Sequence, residues 1–451
     1  MIPMTFKETA QAVRSSSVLE GAYDCICTDT RKITPGCLFI AIKGDNFDGH
    51  DFAAKAVESG AKAVICERDC GLGDSQILVE NTRLALLDLA GHYRSKFNIP
   101  VIGITGSVGK TTTKEMTHAV MSSKYNTLKN EGNLNNEIGV PLTLFRLDET
   151  HEAAVIEMGM SGFNEISRMT KAVRPDVAII SNIGVSHIEK LGSREGILKA
   201  KLEILHGMKE NAPVILNGDD DMLVTADAGE HPVIYYGVEN VNSFYKAFDI
   251  TSKESETEMS VGSADGTGRV SLPFPGRHNV YNALAAVAAG MQFGISVQEG
   301  LNALKNYVPA GMRQRINKKC GITFIEDCYN ASPDSQAAAL AVLSGMKAER
   351  TVAVIGDMLE LGDVSVEAHY GVGKKAAENK IDAVFTYGER SLETAKGAKD
   401  GGVADVRSFS DKEELSKELS AYLKEGDAVL FKASRGMKLE DVIYSVYEFL
   451  N

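Results

Sequence analysis

One glycine-rich loop carries the residue types needed to hold a nucleoside triphosphate. It follows the apolar segment 101–104 and leads into a helical pattern that begins at Lys110. Glycines let backbone N–H groups close around phosphate oxygens, and the N-terminus of the following helix adds a favourable field. The spacing departs from the usual phosphate-loop pattern because Ile occupies position 104, and an ordinary glycine-rich turn is the alternative. The residues predicted to bind ATP here are Gly106, Ser107, Val108, Gly109, Lys110, Thr111 and Thr112.

Lys110 and Thr111 have separate predicted roles in this loop. A lysine at this position reaches the outer phosphates, and the hydroxyl of the next residue ligates Mg²⁺. The loop does not identify the phosphoryl acceptor. Water would indicate an ATPase, a hydroxyl group a kinase, and a carboxylate a ligase.

Two more polar residues follow predicted strands of the same region. Glu157 comes directly after the apolar segment 153–156, and His187 comes shortly after the segment 177–180. Open parallel sheets bind ligands at the carboxyl ends of their strands. Beside a triphosphate, a carboxylate and an imidazole could hold two Mg²⁺ ions. Without the phosphate loop, a solvated glutamate and a capping histidine would be the simpler interpretation.

The elements that must position these residues belong to an acidic chain of 451 residues with a net charge of -13. At about 100 to 200 residues per domain, this length predicts three domains. Nucleic-acid-binding surfaces are predominantly basic, so no nucleic-acid partner is expected and anions must be held locally. The seven cysteines form no CxxC pair, which favours reduced thiols and a cytosolic protein. The sequence shows no apolar leader and no membrane-spanning stretch, so a soluble, cytoplasmic protein without membrane insertion is expected.

Strand-like and helical segments alternate along the chain, which predicts largely parallel sheets covered on both faces. The predicted fold class is α/β with three domains: a small N-terminal α/β domain (1–97), a central P-loop ATPase-like domain with a mainly parallel sheet (98–309), and a Rossmann-like C-terminal domain (310–451). Residues 251–268 are predicted as a hairpin or surface loop. Strands are predicted at 37–42, 63–66, 101–104, 153–156, 177–180, 214–216, 323–327, 351–357, 383–388 and 428–432, and a helix at 282–289.

Five sequence blocks resemble the Mur ligase family, and the resemblance spans nearly the whole chain. Within the family they resemble members that add D-alanyl-D-alanine to UDP-N-acetylmuramoyl-tripeptide in peptidoglycan precursor synthesis. The resemblance implies an ADP-forming carboxylate–amine ligase in which ATP converts the tripeptide carboxylate into an acyl phosphate and the dipeptide amine then displaces phosphate. It implies ATP, Mg²⁺ and the two organic substrates as ligands, and a monomer is expected. The blocks are residues 103–113, 130–144, 275–283, 327–334 and 355–362.

The resemblance also implies a metal site. Thr111 and Glu157 match ligands of a first Mg²⁺, and His187 matches a ligand of a second one. Lys201 matches a lysine that is carbamylated in the family, where the carbamate helps to hold the second metal; Lys199 is the alternative. The catalytic residues implied are Lys110, Glu157, His187 and Lys201.

Residues for the rest of the nucleotide and for the substrates are implied in the same way. Asn279 matches an adenine contact, and Asp327 and Arg313 are expected to reach the nucleotide, with Arg315 as the alternative to Arg313. Arg435, in a loop after a predicted strand, is a candidate for the dipeptide carboxylate and Asp357 for its ammonium group, with structural salt bridges as the alternative. The UDP end is expected at residues 28–31 and 44–51, and the muramyl-peptide in an asparagine-rich channel. The other substrate-binding residues are Thr30, Arg31, Asn46, Asn133, Asn135, Asn136 and Asn330.

Two other functions stay open at this point. A ligase of the same superfamily with a different acceptor, such as a folylpolyglutamate-type enzyme, would keep the ATP site. The blocks at 133–144 and 327–334 weigh against it. A non-catalytic nucleotide-binding regulator would keep the fold, but Lys110, Glu157 and Lys201 are all present, which weighs against this interpretation.

Overall fold

The computed structural model describes residues 1–44, 46–264, 266–309 and 311–450. Asp45, in the segment expected at the UDP end, and Ala310, at the second predicted boundary, lie outside the described residues. The described chain has a three-domain α/β fold, which confirms the predicted fold class. Each of the larger sheets draws its strands from one of the three predicted segments, while the boundaries themselves stay predictions.

The N-terminal domain is built on a small parallel sheet. Its elements are β1 (Met4–Thr5), α1 (Phe6–Ala12), β2 (Ala22–Tyr23), β3 (Ile26–Cys27), β4 (Leu38–Ile40), α2 (Ala53–Glu58), β5 (Ala63–Cys66), β6 (Gln76–Leu78) and α3 (Thr82–Arg94). Strands β3-β4-β5-β6 pair in that order, all parallel, and β1 and β2 form a separate antiparallel pair. The strand predicted at 37–42 is shorter than expected because Ile42 enters a turn, where its carbonyl accepts a hydrogen bond from the Gly49 N–H at 2.9 Å.

The central domain contains the largest sheet. Its first elements are β7 (Val101–Thr105), α4 (Lys110–Ser122), β8 (Thr127–Lys129), α5 (Gly139–Leu144), β9 (Ala153–Glu157), α6 (Glu165–Val173), β10 (Val177–Ile180), α7 (Ile188–Leu191) and α8 (Arg194–Leu202). They are followed by β11 (Val214–Asn217), β12 (Val233–Gly237), β13 (Tyr245–Ser252), β14 (Thr257–Ser263), β15 (Gly266–Leu272), α9 (Arg277–Met291) and α10 (Val297–Leu304).

The strand order of this sheet determines where a ligand can bind. The order is β15-β14-β13-β12-β11-β10-β7-β9-β8, parallel from β8 to β13 and antiparallel at β14 and β15. The antiparallel strands confirm a hairpin in the polar segment 251–268. Strand β7 lies between β9 and β10, so the chain runs to opposite sides of it. Such a switch point opens a crevice at the carboxyl ends of the strands.

The C-terminal domain is a second mainly parallel sheet covered by helices. Its elements are β16 (Arg315–Lys319), β17 (Ile322–Glu326), α11 (Pro333–Ser344), β18 (Arg350–Gly356), α12 (Ser365–Glu378), β19 (Ala383–Tyr387), α13 (Ser391–Gly401), β20 (Asp405–Phe409), α14 (Lys412–Tyr422), β21 (Asp427–Lys432) and α15 (Glu440–Phe449). The strand order is β16-β17-β21-β18-β19-β20. Among the described strands of this sheet, only the β16–β17 pair is antiparallel. The buried strands β17, β18, β19 and β21 read as continuous apolar runs, which is why the sequence located them. The edge strands β16 and β20 are more exposed and were not predicted.

Helices of the central domain pack tightly on its sheet. The helix predicted at 282–289 lies inside α9, and most residues of α9 are buried because its alanines allow close approach to α4. Across the described part of the chain, the helices lack the combination of length and apolarity that a membrane span requires.

Helix α3 packs against α5 and α6 of the central domain, and one buried hydroxyl group adds hydrogen bonds between the two domains. Tyr93 is fully buried in the apolar cluster that contains residues of both domains. Its hydroxyl accepts a hydrogen bond from the Ile2 N–H at 2.8 Å and donates one to the Leu147 carbonyl at 2.6 Å. One side chain therefore satisfies backbone groups of two domains.

We expect Tyr93→Phe to destabilise the protein. The substitution keeps the ring but leaves the Leu147 carbonyl and the Ile2 N–H without this partner, at a cost of about 1–3 kcal/mol. Scanning calorimetry should show a lower unfolding midpoint for the variant. Tyr444→Phe is the matched control, since Tyr444 is exposed. Equal midpoints for both variants would show that the buried hydroxyl does not hold the two domains together.

Candidate active site

A cavity of about 680 Å³ lies between the central and the C-terminal domains. On the central side, its lining comes from residues that follow β7, β9 and β10 and from the first turns of α4 and α9. On the other side, it comes from residues that follow β17, β18 and β21. The carboxyl ends of parallel strands are the usual ligand site in open α/β sheets. This cavity is therefore the candidate active site.

The glycine-rich loop forms one wall of the cavity and has the shape of an anion cradle. Gly109 has a left-handed backbone, with φ of 78°, immediately before α4. A Cβ at Gly106 would lie 1.9 Å from Ser181 Oγ, so this position cannot carry a side chain. The Lys110 ammonium group donates hydrogen bonds to the carbonyls of Gly106 at 2.8 Å and Ser107 at 3.1 Å. Apart from Gly106, which packs behind the loop, the predicted loop residues line the cavity: Ser107, Val108, Gly109, Lys110, Thr111 and Thr112.

Two residues after β10, which sequence analysis did not select, fix the conformation of this loop. The Asn182 carbonyl accepts a hydrogen bond from the Ser107 N–H at 3.0 Å, and its Oδ1 accepts one from the Val108 N–H at 2.9 Å. Ser181 Oγ donates to the Val108 carbonyl at 2.8 Å. Asparagine and serine are common in the loops that follow strands, so their residue types alone do not indicate a function. The only sequence signal for Ser181 and Asn182 is that they follow a predicted strand of the same sheet.

Glu157 lies at the end of β9, where it is nearly fully buried and lines the cavity. Its Oε1 accepts a hydrogen bond from Asn135 Nδ2 at 2.7 Å, and its Oε2 lies 3.9 Å from Lys114 Nζ. The Asn130 side chain bonds the N–H and the carbonyl of Glu157 at 2.8 and 2.9 Å. Sequence analysis missed Asn130 and Lys114, although Lys114 lies four residues after Lys110, on the same helix face.

Thr111 and Glu157 present oxygen donors to the cavity, which is the ligand type that Mg²⁺ prefers. Among the described residues, the Thr111 hydroxyl has no hydrogen-bond partner, so it is available to a ligand. The described chain contains no group of three or more His, Cys, Asp or Glu side chains arranged around a metal position. The donors present therefore fit an ion that takes its remaining ligands from phosphates and water.

Lys201 is a buried lysine near the end of α8, only 1% exposed. Within the described residues, its ammonium group has neither a hydrogen bond nor an ion pair. Burial, with a further contribution from Lys110, lowers the pKa of Lys201 well below its ordinary value. Lys199, the alternative, is exposed on the same helix. The structure therefore distinguishes the two lysines: Lys201 is the one whose burial disfavours the charged amine.

His187 connects the central domain to the C-terminal domain. Its Nδ1 lies 2.7 Å from Glu360 Oε2, and both residues line the cavity. Both have left-handed backbones, with φ of 64° at each. Burial lowers the pKa of His187 and so does Lys110, while the Glu360 carboxylate opposes the shift. Sequence analysis missed Glu360, although it lies in the block 355–362 that resembles the family.

Asn279, in the first turn of α9, is buried at the cavity wall. Its Nδ2 donates hydrogen bonds to Gln314 Oε1 at 2.9 Å and to the Pro275 carbonyl at 3.0 Å. Gln314 Nε2 donates to the same carbonyl at 2.7 Å. Gln314 belongs to the C-terminal domain, so these bonds join the two domains beside Asn279.

The structure separates the two candidate arginines. Arg313 lies over the Tyr329 ring, 4.0 Å from its centroid, and lines the cavity. Arg315 begins β16, is largely exposed and lies 4.0 Å from Glu326 instead. Of the two, Arg313 is therefore the one placed to reach a ligand in the cavity.

Asp327 and Asn330 line the cavity after β17. Asp327 Oδ2 accepts a hydrogen bond from Lys432 Nζ at 2.6 Å, and its Oδ1 accepts one from the Gln314 N–H at 3.2 Å. Lys432 also donates to the Asn330 carbonyl at 3.2 Å. Lys432, which was not selected from the sequence, thus holds both predicted residues in place.

The two residues predicted for the dipeptide have different environments. Arg435 lines the cavity, and its Nη1 lies 2.5 Å from Glu440 Oε1. Asp357 is buried, and its carboxylate accepts hydrogen bonds from the Ser391 N–H at 2.7 Å and the Arg390 N–H at 3.3 Å. These bonds cap the start of α13. Asp357 is not among the described residues that line the cavity, and its carboxylate is directed towards the helix instead.

The predicted substrate residues of the earlier segments fall into two groups. Asn133, Asn135 and Asn136 line the cavity, whereas Thr30, Arg31 and Asn46 are not among the described residues that do. The Arg31 side chain is 87% exposed and lies 2.7 Å from Asp29. The hydrogen bond from Arg31 lowers the pKa of Asp29 to about 2. A ligand contacting both groups would have to extend from the cavity onto the N-terminal domain.

Profiles of three Mur ligase domains match the chain in order. The catalytic domain of the Mur ligase family matches residues 22–94, the Mur ligase middle domain matches 104–290, and the Mur ligase glutamate ligase domain matches 313–435. The fold, the phosphate loop and the interdomain cavity agree with this assignment. The chain belongs to the Mur ligase family.

Relatives over the full length specify the family member that the chain resembles. The UDP-N-acetylmuramoyl-tripeptide--D-alanyl-D-alanine ligase of Bacillus subtilis (strain 168) is 40% identical over 462 residues, which covers 99% of each chain. The enzyme of the same name from Escherichia coli (strain K12) is 38% identical, again covering 99% of each chain. A crystal structure of MurF from Acinetobacter baumannii has a TM-score of 0.93 at 33% identity, with 99% of each chain covered. MurF ligase from Thermotoga maritima in complex with ADP has a TM-score of 0.87 at 30% identity, covering 94% of this chain and 97% of that one.

Replacing Lys201 by Met should stabilise the protein near neutral pH in CO₂-free buffer. The pKa of Lys201 is lowered in the folded chain, so protonation favours the unfolded state at every pH below the ordinary value of 10.5. This penalty shrinks as the pH rises towards that value. Calorimetry should therefore show a higher unfolding midpoint for Lys201→Met than for the wild type at pH 7, and a smaller difference at about pH 9.5.

The matched control is Lys199→Met, because Lys199 lies on the same helix and is exposed. Its midpoint should equal that of the wild type at both pH values. A midpoint of Lys201→Met below the wild type, or a difference that grows with pH, would contradict a lowered pKa of Lys201.

Proposed function

We propose that the chain is an ATP-dependent ligase that joins D-alanyl-D-alanine to UDP-N-acetylmuramoyl-tripeptide. The products are UDP-N-acetylmuramoyl-pentapeptide, ADP and phosphate. The observation that carries the proposal is the shared cavity, in which the phosphate loop and Glu157 face Arg313 and Arg435 of the C-terminal domain. Full-length relatives of that activity, at 40% and 38% identity, support the choice of substrates.

The reaction needs ATP because a carboxylate is a poor electrophile for an amine. In the first step, an oxygen of the tripeptide carboxylate attacks the γ-phosphorus of ATP, the bond to ADP breaks, and an acyl phosphate forms. In the second step, the dipeptide amine attacks the acyl carbon and loses a proton, and the bond to phosphate breaks. Lys110 and the N–H groups of the phosphate loop would stabilise the charge on the phosphoryl oxygens.

Thr111 and Glu157 would hold the first Mg²⁺, which supplies charge neutralisation at the phosphates when it is bound. The Glu157 carboxylate is already oriented for this role by Asn135 and Lys114. His187 lines the same cavity and would contribute to a second ion. A preorganised carboxylate lowers the entropic cost of assembling the ligands.

Lys201 would act as a carbamate. Its neutral amine attacks the carbon of CO₂, a proton leaves, and a buried cation becomes an anion that can help to hold the second ion. The burial of Lys201 and the absence of any hydrogen-bond or ion-pair partner among the described residues support this role. An unmodified ammonium at this position would be buried without compensation, which is costly.

Each of the remaining predicted residues is assigned to one ligand, according to the domain in which it lies. Asn279, Arg313 and Asp327 would contact the nucleotide, and Arg435 would contact the dipeptide carboxylate. The N-terminal domain would bind the UDP end of the substrate, and the enzyme would work in the cytoplasm as a monomer. The other substrate residues in this assignment are Thr30, Arg31 and Asn46 at the UDP end, Asn133, Asn135 and Asn136 along the muramyl-peptide, and Asn330 at the cavity wall.

The direct test is an assay of phosphate release with ATP, Mg²⁺, UDP-N-acetylmuramoyl-tripeptide and D-alanyl-D-alanine. We expect release only when both organic substrates are present, together with a product heavier than the tripeptide substrate by one dipeptide less one water in mass spectrometry. Replacing D-alanyl-D-alanine by L-glutamate is the control for a different acceptor. Phosphate release that ignores either organic substrate would falsify the ligase proposal.

Lys201→Ala should abolish turnover and regain part of it on addition of acetate or propionate. A short carboxylate can occupy the space of the missing side chain and supply the anion that the carbamate would provide. The rate of phosphate release should rise with carboxylate concentration in Lys201→Ala and stay constant in Lys199→Ala. Full activity of Lys201→Ala without an added carboxylate would remove the carbamate from the mechanism.

A further inference from the structure

Glu360 is an anionic residue of the cavity that no other role accounts for. It follows β18 in the C-terminal domain and has a left-handed backbone, with φ of 64°, an unfavourable conformation for a residue with a side chain. This turn sends its carboxylate across to the central domain, where Oε2 lies 2.7 Å from His187 Nδ1. The side chain is 61% exposed, so a ligand entering the cavity can reach it.

Most other carboxylates that line the cavity are already held by protein groups. Asp327 accepts a hydrogen bond from Lys432 at 2.6 Å, and Glu157 accepts one from Asn135 at 2.7 Å. Glu165 accepts hydrogen bonds from the N–H and the hydroxyl of Ser161, each at 3.1 Å. Glu157 is assigned to the first Mg²⁺, and Asp327 and Glu165 are held by groups of their own domain, whereas the partner of Glu360 is His187 of the other domain.

Asp334 is the competing candidate. It lines the cavity at the start of α11 and covers Gly184, where an added Cβ would lie 2.4 Å from its Oδ2. Gly184 in turn bonds Ser107 of the phosphate loop through its N–H at 2.9 Å. Asp334 is therefore placed beside the phosphate loop.

The Glu360 loop and the Arg435 loop are bonded to each other. The Leu359 N–H donates to Ser434 Oγ at 2.9 Å, and the Ser434 N–H donates to the Asp357 carbonyl at 3.1 Å. These two hydrogen bonds connect the residues next to Glu360 and Arg435. One carboxylate and one guanidinium group are thus presented to the cavity by a single coupled pair of loops, each following a strand of the same sheet.

We infer that Glu360 and Arg435 form the two ends of a binding site for a small zwitterion, with Glu360 receiving its ammonium group and Arg435 its carboxylate. This inference rests on the proposed function and identifies the residue that recognises the incoming amine. D-alanyl-D-alanine has both charged ends, and charge-assisted hydrogen bonds at each end give specificity for a free dipeptide. Glu360 takes the role that the sequence assigned to Asp357, whose carboxylate caps α13. In the absence of the amine, Glu360 bonds His187.

The test is Glu360→Gln, which removes the charge but keeps an oxygen that can accept a hydrogen bond from His187. We expect the KM for D-alanyl-D-alanine to rise at least about tenfold, as for loss of a charged hydrogen bond, while the KM values for ATP and for UDP-N-acetylmuramoyl-tripeptide change less than twofold. Glu367→Gln is the matched control, because Glu367 is exposed on α12 and is not among the described lining residues. Asp334→Asn is the comparison for the competing candidate.

A binding measurement without turnover separates this inference from the proposed function. Calorimetric titration of the full chain, saturated with Mg²⁺ and a non-hydrolysable ATP analogue, should show that the wild type prefers D-alanyl-D-alanine to N-acetyl-D-alanyl-D-alanine and that Glu360→Gln loses this preference. An unchanged preference in Glu360→Gln, a parallel rise of all three KM values, or a dipeptide-specific defect in Asp334→Asn alone would overturn it. Failure of wild-type phosphate release with intact dipeptide selectivity would reject the ligase chemistry and leave the zwitterion site standing.

Discussion

The site depends on the hydrogen bonds between the phosphate loop and the residues that follow β10. Asn182 bonds the backbone of Ser107 and Val108, and Ser181 bonds Val108 from the side. These bonds exist because β7 and β10 are neighbours in the parallel sheet and end at the same edge. Glycine at position 106 is required by the same contact, since a side chain there would meet Ser181. The cradle is therefore a property of the sheet as much as of the glycine-rich segment.

Electrostatics explain how an acidic protein can bind phosphate-rich ligands. The chain carries a net charge of -13, but Lys110 and Lys114 lie in the first turns of α4 beside the cradle, and the buried Lys201 interacts with Lys110. Lys114 is fully buried and is compensated by Glu115 at 3.1 Å and by Glu157 at 3.9 Å. Lys201 has no such compensation among the described residues. A carbamate on Lys201 would resolve this imbalance and add an anion for metal binding, so the same lysine connects stability with the proposed chemistry.

The cavity is complete only when two domains meet. Gln314 bonds Pro275 and Asn279 across the boundary, and Glu360 reaches His187 in the same way. The proposed reaction has two steps. In the first, ATP reacts with the tripeptide carboxylate on the central-domain side of the cavity; in the second, the dipeptide amine reaches the acyl phosphate from the C-terminal-domain side. A site shared between domains can bring the amine to the acyl group while closure excludes water. The Glu360–His187 contact places the proposed amine-binding residue next to a proposed metal ligand.

The sequence by itself determined the parts that depend on local pattern. Buried parallel strands such as Val177–Ile180 read as apolar runs, so the α/β class could be predicted. A strand, a glycine-rich loop and a lysine in succession indicate a phosphate loop, so Lys110 could be predicted as well. The chain length indicated three domains. Glu157 was also found, because it ends a predicted strand. The sequence of residues 251–268 does not distinguish a hairpin from a surface loop, since a polar segment rich in Ser, Glu and Gly is typical of both.

Only the tertiary structure decided which side chains meet across distant segments. Lys114 lies beside Glu157 because α4 packs on β9, and helical spacing alone cannot indicate that contact. Asp357 and Glu360 lie in one sequence block, yet one caps α13 and the other enters the cavity. The difference comes from a backbone turn at Glu360 and from the position of α13. Sequence pattern reports local conformation, whereas contacts between strands, helices and domains depend on packing that no single segment encodes.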